Sequence, residues 1–130
     1  MIRILATALL ALTLTASGAF ATSMDDLVPV GGLWHKKFTD VPFTGIVDEG
    51  LHRGEFKNGK EEGLWVAYHV NGQLSAKGEY QNGEEEGSWV TYYDNGQLAT
   101  IIGKKNGKHE GLSVFYIEDG QLRWKGQYQN

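Results

Sequence analysis

Two consecutive stretches of the chain, GLWVAYHVNGQLSAKGEYQNGEEE (residues 63–86) and GSWVTYYDNGQLATIIGKKNGKHE (residues 87–110), decide the fold because they align position by position. A third stretch, GLSVFYIEDGQLRWKGQYQN (residues 111–130), repeats the pattern in shortened form. The glycine of the NGQL or DGQL turn returns every 24 residues, at Gly72, Gly96 and Gly120. A fixed period between about 20 and 50 residues is typical of repeat proteins.

A degenerate copy, VPFTGIVDEGLHRGEFKNGKEE, precedes these three at residues 41–62. Its Gly54 and Gly59 fall in register with the glycines of the next copy, although its hairpin is one residue shorter. We therefore predict one repeat domain at residues 41–130, with copies at 41–62, 63–86, 87–110 and 111–130.

Each copy reads as two short β-strands joined by a glycine turn. The segments LWVAYHV, SWVTYYD and LSVFYIE are rich in β-branched and aromatic residues, which favour strands. Asn-Gly or Asp-Gly follows each of them and is a strong hairpin signal. We predict an all-β fold: a single-layer antiparallel β-meander built from hairpin repeats of period 24, with about seven to nine strands.

The loop length decides which residues lie opposite one another, and the sequence leaves two alternatives. A two-residue loop would give the pairs Val70–Gln73, Ala67–Ala76 and Trp65–Gly78. The indole of Trp65 would then cover the bare backbone of Gly78. A three-residue loop with a bulge would instead place Val66, Tyr68 and Leu74 on one face. Either alternative puts large aromatic side chains on both faces, with Trp65, Trp89 and Tyr93 on one and Tyr68, Tyr92 and Tyr116 on the other.

The first 40 residues fall outside the repeats. Arg3, the apolar run that follows it and the small residues around Ala19–Ala21 predict a cleaved signal peptide at residues 1–21. We interpret residues 22–40 as a linker and N-terminal capping segment, because terminal units of repeat proteins are commonly atypical. The predicted location is outside the cytoplasm, in the periplasm or the extracellular space.

Composition narrows the class of partner. Beyond residue 21 the chain has no cysteine, 11 basic and 16 acidic residues, and hence a net charge near −5. This balance disfavours nucleic acid, which requires clustered Lys and Arg. Without disulfides, an exported domain of this kind depends on burial and hydrogen bonds.

No pattern in the sequence indicates catalysis, a metal or a cofactor. The four histidines, which are not spaced as zinc ligands, are His35, His52, His69 and His109. The run Glu84–Glu86 lacks the ligand spacing of a calcium loop, so we interpret it as a solvated turn. We therefore predict a protein that is not an enzyme and has neither a metal site nor a cofactor.

The aromatic side chains suggest a binding surface. Tyrosine and tryptophan bury a large area at a small entropic cost, and their rings also stack on sugars. The predicted binding residues are Tyr68, Tyr92, Tyr116, Lys77 and Arg123. The last strand would be a sheet edge with unpaired backbone groups, which predicts possible self-association or the addition of a partner's strand there.

The unit G-x-W-x-x-Y-x-x-N-G-Q-L, followed by K-G-x-Y-x-N-G, resembles the MORN repeat in its bacterial variant form, and "PFTG" at Pro42–Gly45 resembles the usual start of such arrays. The chain departs from the pattern at Ser113, where Trp is expected, and at Ile102, where Gly is expected. The resemblance implies an elongated single-layer sheet that serves as a scaffold or binding surface for proteins, and in some cases meets membranes. This group is often labelled as the YwqK-type antitoxin of toxin–antitoxin systems.

Together these observations predict an exported, non-catalytic protein–protein interaction or scaffold module. The alternative from another class is binding of cell-envelope glycan or lipid. The antitoxin role implied by the resemblance is the second alternative, since the predicted export signal would remove the chain from the cytoplasm.

Overall fold

The computed structural model describes residues 22–129, and the predicted signal peptide lies outside the described residues. The described part contains ten β-strands and a short 3₁₀ turn at Met24–Asp26. The strands are β1 (Leu27–Val30), β2 (Leu33–Lys36), β3 (Gly45–Val47), β4 (His52–Lys57), β5 (Lys60–Tyr68), β6 (Leu74–Gln81), β7 (Glu84–Tyr92), β8 (Leu98–Lys105), β9 (Lys108–Tyr116) and β10 (Leu122–Tyr128).

Eight of these strands, β3 to β10, form one antiparallel sheet in which every strand pairs with its neighbours in sequence. Strands β1 and β2 form a separate two-stranded sheet. The predicted all-β meander is therefore confirmed. Because side chains alternate between the two faces of a sheet, we name the face that bears Trp65 and Trp89 the tryptophan face. The face that bears Tyr68, Tyr92 and Tyr116 is the tyrosine face.

Two kinds of turn join the strands. Tight two-residue turns lie at Asn58–Gly59, Asn82–Gly83 and Asn106–Gly107, where asparagine has φ of 51 to 53° and glycine has φ of 77 to 83°. Positive φ at both positions is the geometry of the type I′ hairpin turn, which asparagine and glycine adopt with little strain.

The NGQL turns are longer than the tight turns. The backbone N–H of His69 donates to the carbonyl of Gln73 at 2.7 Å, and that of Gly72 donates to the carbonyl of His69 at 2.9 Å. Only Gly72 within this loop has positive φ, at 88°. The loop thus has three residues between its closing pair and is followed by a bulge, as in the second alternative, which puts Tyr68 and Leu74 on one face. The two-residue loop and its Val70–Gln73 pair do not form.

The inner register of the two-residue alternative nevertheless holds, because a bulge follows the loop. Tyr68 lies opposite Leu74, and Ala67 then lies opposite Ala76, so Ser75 is the extra residue. The bulge restores the predicted pairing of Ala67 with Ala76, and the pairing of Trp65 with Gly78 follows. The second and third hairpins contain the same irregularity at the same place.

An indole does lie on the backbone of Gly78, but it belongs to Trp89 and not, as predicted, to Trp65. A Cβ built on Gly78 would lie less than 3.0 Å from three ring atoms of Trp89. The register between β6 and β7 shifts here, so that residues 87–89 face Gly78 alone and the ring of Trp89 reaches back over it. Trp65 covers Gly54 in the same way.

The third copy exchanges both members of this pair. Ile102 stands at the glycine position and Ser113 at the tryptophan position, and the two residues lie opposite each other on β8 and β9. Ser113 is completely buried. Ile102 thus adds a side chain on β8 at the place where β9, with Ser113, lacks an indole. This exchange accounts for both departures from the repeat pattern.

Residues 22–40, interpreted above as a linker and cap, contain an ordered β-hairpin. Gly31 and Gly32 form its turn with φ of 58 and 81°, and the strands on either side pair in register. Leu27 of this hairpin is 5% exposed and packs with Val47, Phe56 and Trp65 in the core cluster. The hairpin therefore covers the first end of the tryptophan face rather than linking two units.

A continuous row of aromatic rings extends from this core across the tryptophan face. Trp34 and Phe43 each contact Phe56, and the row continues from there; the five pairs of ring centroids lie 4.9 to 5.9 Å apart, all in tilted or edge-to-face contact. Such pairs contribute about 0.5–1.5 kcal/mol each beyond their buried area. The members of the row are Trp34, Phe43, Phe56, Trp65, Tyr80 and Trp89.

Candidate binding surface

The three tyrosines predicted to bind a partner end the first strand of successive hairpins. Tyr68, Tyr92 and Tyr116 are the last residues of β5, β7 and β9, and each lies opposite the leucine that opens the next strand. Because the three strands are separated by two interstrand steps of about 4.8 Å, the tyrosines stand roughly 10 Å apart on one face. The structure thus places them in a line rather than in a pocket.

The hydroxyls of these tyrosines differ from that of their neighbour Tyr93. Tyr93 donates its hydroxyl hydrogen to the carbonyl of Tyr116 at 2.7 Å. Within residues 22–129, the hydroxyls of Tyr68, Tyr92 and Tyr116 have no hydrogen-bond partner. All three side chains are partly buried, so each offers a ring edge and an uncommitted hydroxyl to a partner.

The two predicted cations lie on strands that pair with the tyrosine-bearing strands. Lys77 is exposed and stands between Val66 and Val90 on neighbouring strands of the tyrosine face. Arg123 is the bulged residue of the last hairpin and is also exposed. They occupy different strands near different tyrosines and do not form one cluster.

A third cation on this surface, Arg53, was not among the residues predicted from the sequence. Its guanidinium carbon lies 5.9 Å from the ring centroid of Tyr68, within the range of a cation–π interaction. Arg53 is opposite Val66, so it starts the row that continues through Lys77. The repeat itself is the signal that could have found it, because Arg53 precedes Gly54 as Lys77 precedes Gly78.

The loops beside the tyrosines bond to one another from copy to copy. His69 donates from Nε2 to the carbonyl of Tyr92 at 2.8 Å, as the hydroxyl of Tyr93 does one copy later. Asn71 donates from Nδ2 to the carbonyl of Asp94 at 2.7 Å, and Asn95 does the same toward the third loop. These bonds hold the loops in a stack and thereby set the spacing of the tyrosines.

The third loop has lost the donors that make these forward bonds. Ile117 stands where the earlier copies have His69 and Tyr93, and Asp119 stands where they have asparagine. Asp119 still accepts a hydrogen bond from the backbone N–H of Gln121 at 2.9 Å, as Asn71 does for its own loop. Asp119 therefore keeps the hydrogen bond within its own loop but cannot donate one to a following loop.

The acidic turn Glu84–Glu86 serves the sheet. Glu85 forms a 2.7 Å ion pair with Lys104, and Glu86 accepts the backbone N–H of Asn106 at 2.9 Å. Glu62 does the same for Asn82 in the preceding copy. Among the described residues, no group of three or more His, Asp or Glu side chains is placed to hold a metal ion.

The tryptophan face contains a shallow depression. A cavity of about 210 Å³ lies over the small residues Ala67 and Ala76, beside the rings of Trp65, Tyr80 and Trp89. Burial raises the pKa of the Tyr80 hydroxyl, and the carboxylates of Glu85 and Glu61 raise it further. Tyr80 therefore stays protonated, and its environment is that of a structural residue in the aromatic row.

These features define a class of protein, an antiparallel β-repeat sheet that presents long surfaces instead of an enclosed site. In residues 22–129 no helix is long and apolar enough to cross a membrane. Residues 61–82 and 85–102 match the family model described as MORN repeat variant. The resemblance of these two segments to the MORN repeat, predicted from the sequence, is therefore confirmed.

MORN repeats are generally associated with modules that bind proteins or membranes, and the family is of a non-catalytic type. A comparison with curated proteins found no match. Among solved structures, the chain is similar to one described as the crystal structure of accessory secretory proteins 1, 2 and 3 of Streptococcus pneumoniae, with 18% identity and a TM-score of 0.41. The similarity covers 65% of this chain and 17% of that one.

Proposed function

We propose that the protein is an exported scaffold that binds another protein through its tyrosine face. The observation that supports this most directly is the line of three tyrosines whose hydroxyls have no partner among residues 22–129. Tyrosine gives an interface both apolar area and a hydrogen-bonding group, and ordering it on binding loses little entropy. The repeat spacing makes the surface suitable for an extended or repeating partner.

The cations set the chemistry of that partner. Arg53 and Lys77 lie beside Tyr68, and Arg123 lies beside Tyr116. A partner that places carboxylates between aromatic or apolar side chains would match this alternation, because opposite charges across an interface favour the correct register. The rest of the chain beyond residue 21 is acidic overall, which would steer such a partner toward this line.

Affinity capture from native cell envelope with matched variants tests the proposal. Tyr92→Ala removes the central ring and should reduce specific recovery about tenfold or more, as expected for an interface hot spot. Tyr92→Phe isolates the hydroxyl and should give an intermediate loss. Thr91→Ala alters the opposite face of the same strand and should recover the partner normally. Equal recovery by Tyr92→Ala and the unaltered protein would remove the tyrosine face from consideration.

Binding of envelope glycan is the second candidate, since the same rings and hydroxyls suit the stacking and hydrogen bonding of sugars. Sedimentation with purified peptidoglycan discriminates between the two. Retention that is lost in Tyr92→Ala, with no protein recovered in the capture experiment, would favour the glycan. Absence of sedimentation at any protein concentration would dismiss it.

A further inference from the structure

Strand β10 is the open edge of the sheet. It pairs with β9 only, so the backbone groups along its other side have no strand partner among the described residues. The opposite edge, β3, is only three residues long, and the backbone N–H groups of Asp48 and Glu49 beside it donate to the carbonyl of Thr22. An unpaired edge is a template for the addition of a strand.

A second feature of β10 shows what such a strand would carry. In the inner copies, Gly54 and Gly78 are covered by Trp65 and Trp89, and each tryptophan comes from the strand that follows the glycine. Gly126 holds the same repeat position in β10.

No strand follows β10 in the described part of the chain, and the indole of Trp124 from the same strand lies over Gly126 instead. Trp124 is 44% exposed, whereas Trp65 is 7% exposed. The cover on Gly126 is therefore a poorly buried substitute for a tryptophan from a neighbouring strand.

Charge indicates the rest of the sequence that this edge would accept. Residues 100–129 carry five basic and three acidic side chains, a net charge of +2, while residues 22–99 carry six basic and thirteen acidic ones, a net charge of −7. Strand β10 itself contains Arg123 and Lys125 and no acidic residue. The net positive charge of this end of the sheet therefore attracts a strand that carries carboxylates, without requiring ion pairs to Arg123 and Lys125 themselves.

The sheet already contains a strand of this kind in the equivalent place. On the outer side of β6, Gln81 and Tyr80 face Glu84 and Glu85 of β7, and Trp89 of β7 covers Gly78. Translation by two repeats maps this strand onto the open side of β10. Its carboxylates would lie along Gln127–Gln129 and its indole on Gly126.

We propose that β10 accepts an extended strand from a different protein, in which consecutive carboxylates are followed by a tryptophan or similar aromatic side chain that replaces Trp124 on Gly126. A second copy of this chain fits less well. Antiparallel pairing of two β10 strands would bring Arg123 and Lys125 of both copies to one seam, where like charges repel.

A labelled peptide with the sequence of residues 84–92, EEEGSWVTY, is the probe, titrated into the full chain by fluorescence anisotropy. We expect saturable binding that weakens about tenfold or more when the peptide tryptophan is replaced by alanine, as for a buried aromatic anchor. Replacing the three glutamates by lysines should abolish binding at low salt. Methylation of alternate peptide nitrogens should also abolish it, since it removes the backbone donors of a pairing strand.

Two variants of the protein complete the test. Trp124→Ala removes the substitute cover and should tighten binding several-fold, because the peptide no longer has to displace it. Val70→Ser, in an exposed turn far from β10, should bind with unchanged affinity. Amide hydrogen exchange should show new protection at residues 124–128 when the peptide saturates the protein.

Three outcomes would overturn the proposal. One is binding that ignores the peptide tryptophan. Another is saturation without protection of residues 124–128. The last is a protein that sediments as a dimer with those amides already protected, which would assign the edge to a second copy.

Discussion

The pairing of glycine with tryptophan across strands can be tested by an exchange of residues that the third copy already contains. In the third copy the pair is Ile102 and Ser113, so the same exchange can be made one copy earlier as Gly78→Ile with Trp89→Ser. Gly78 has no positive φ that would exclude a side chain, and the atoms nearest to the position of an added Cβ all belong to the ring of Trp89. The structure therefore predicts that the two changes compensate each other.

The magnitudes follow from what Trp89 contacts. Its Nε1–H donates to the carbonyl of Glu79 at 3.1 Å, and its ring lies 4.9 Å from that of Tyr80. Gly78→Ile displaces the ring, which loses about 0.5–1.5 kcal/mol for each contact and adds overpacking of about 1–3 kcal/mol. We expect a total destabilisation of about 2–6 kcal/mol.

Trp89→Ser alone should destabilise the protein by about 2–3 kcal/mol, below the range for a fully buried tryptophan because this side chain is partly exposed. The double variant should lose only about 1–3 kcal/mol, because the isoleucine fills the space that the indole leaves. The coupling energy between the two changes would then be about 3 kcal/mol or more, at the upper end for residues in contact. Urea unfolding followed by far-ultraviolet circular dichroism measures all four proteins without depending on tryptophan fluorescence. If the single effects add within about 0.5 kcal/mol, the steric explanation of the exchange is refuted.

Three further perturbations test other parts of the structure. Asn71→Asp keeps the hydrogen bond within its own loop but loses the one to the next loop, so it should reduce the free energy of unfolding by about 0.5–1.5 kcal/mol. Asp119→Asn should leave the free energy of unfolding, measured in urea, unchanged. Equal effects of the two variants would disprove the contribution of the bond from Asn71 to the next loop. Because the pKa of Tyr80 is raised in the folded state, stability should be full below the ordinary value of 10.0 and fall as pH rises through the folded pKa. This fall should be smaller in Tyr80→Phe, and an identical pH profile in both proteins would contradict the assignment. Lys104→Met should lower the free energy of unfolding by up to about 1 kcal/mol, since the ion pair with Glu85 is partly solvated. The part of the stability that depends on salt should be lost with it. If urea unfolding of the variant keeps the same salt dependence, the ion pair contributes nothing.

The sequence was sufficient for the architecture because the glycine turns are local signals. Asn82 and Gly83 specify a tight turn by their own backbone preferences, and the period of two along each strand then assigns Tyr68 and Trp65 to opposite faces. These properties need no knowledge of the rest of the fold. They predicted both the meander and the face on which the candidate tyrosines lie.

Features that depend on contacts between copies were not predictable in the same way. The choice of Trp89 over Trp65 as the cover of Gly78 follows from a register shift between β6 and β7, and strand patterns do not show such shifts. Likewise Tyr92 and Tyr93 are adjacent and chemically identical, yet only the hydroxyl of Tyr93 meets a carbonyl of the next copy. That difference requires coordinates.

A cap at residues 22–40 was predicted, but the hairpin that forms it was not. Pro29 and the pair Gly31–Gly32 resemble a flexible connection when only local composition is considered. Pro29 lies in a short strand of a two-stranded sheet, where a missing donor is tolerated, and the two glycines form a turn. What holds the hairpin in place is Leu27 in the core, a contact distant in sequence.

The bonds between successive loops have a consequence for how such a chain can change over generations. The second loop accepts two hydrogen bonds from the first loop at its carbonyls and donates two to the third loop from Tyr93 and Asn95, at separations of 23 residues. In an in-frame duplication of residues 87–110, the added loop would therefore form the same hydrogen bonds with the loops on both sides. A copy added beyond the third loop would receive no such hydrogen bonds, because Asp119 cannot donate. Lengthening of the molecule is therefore favoured in its interior and disfavoured beyond its third loop.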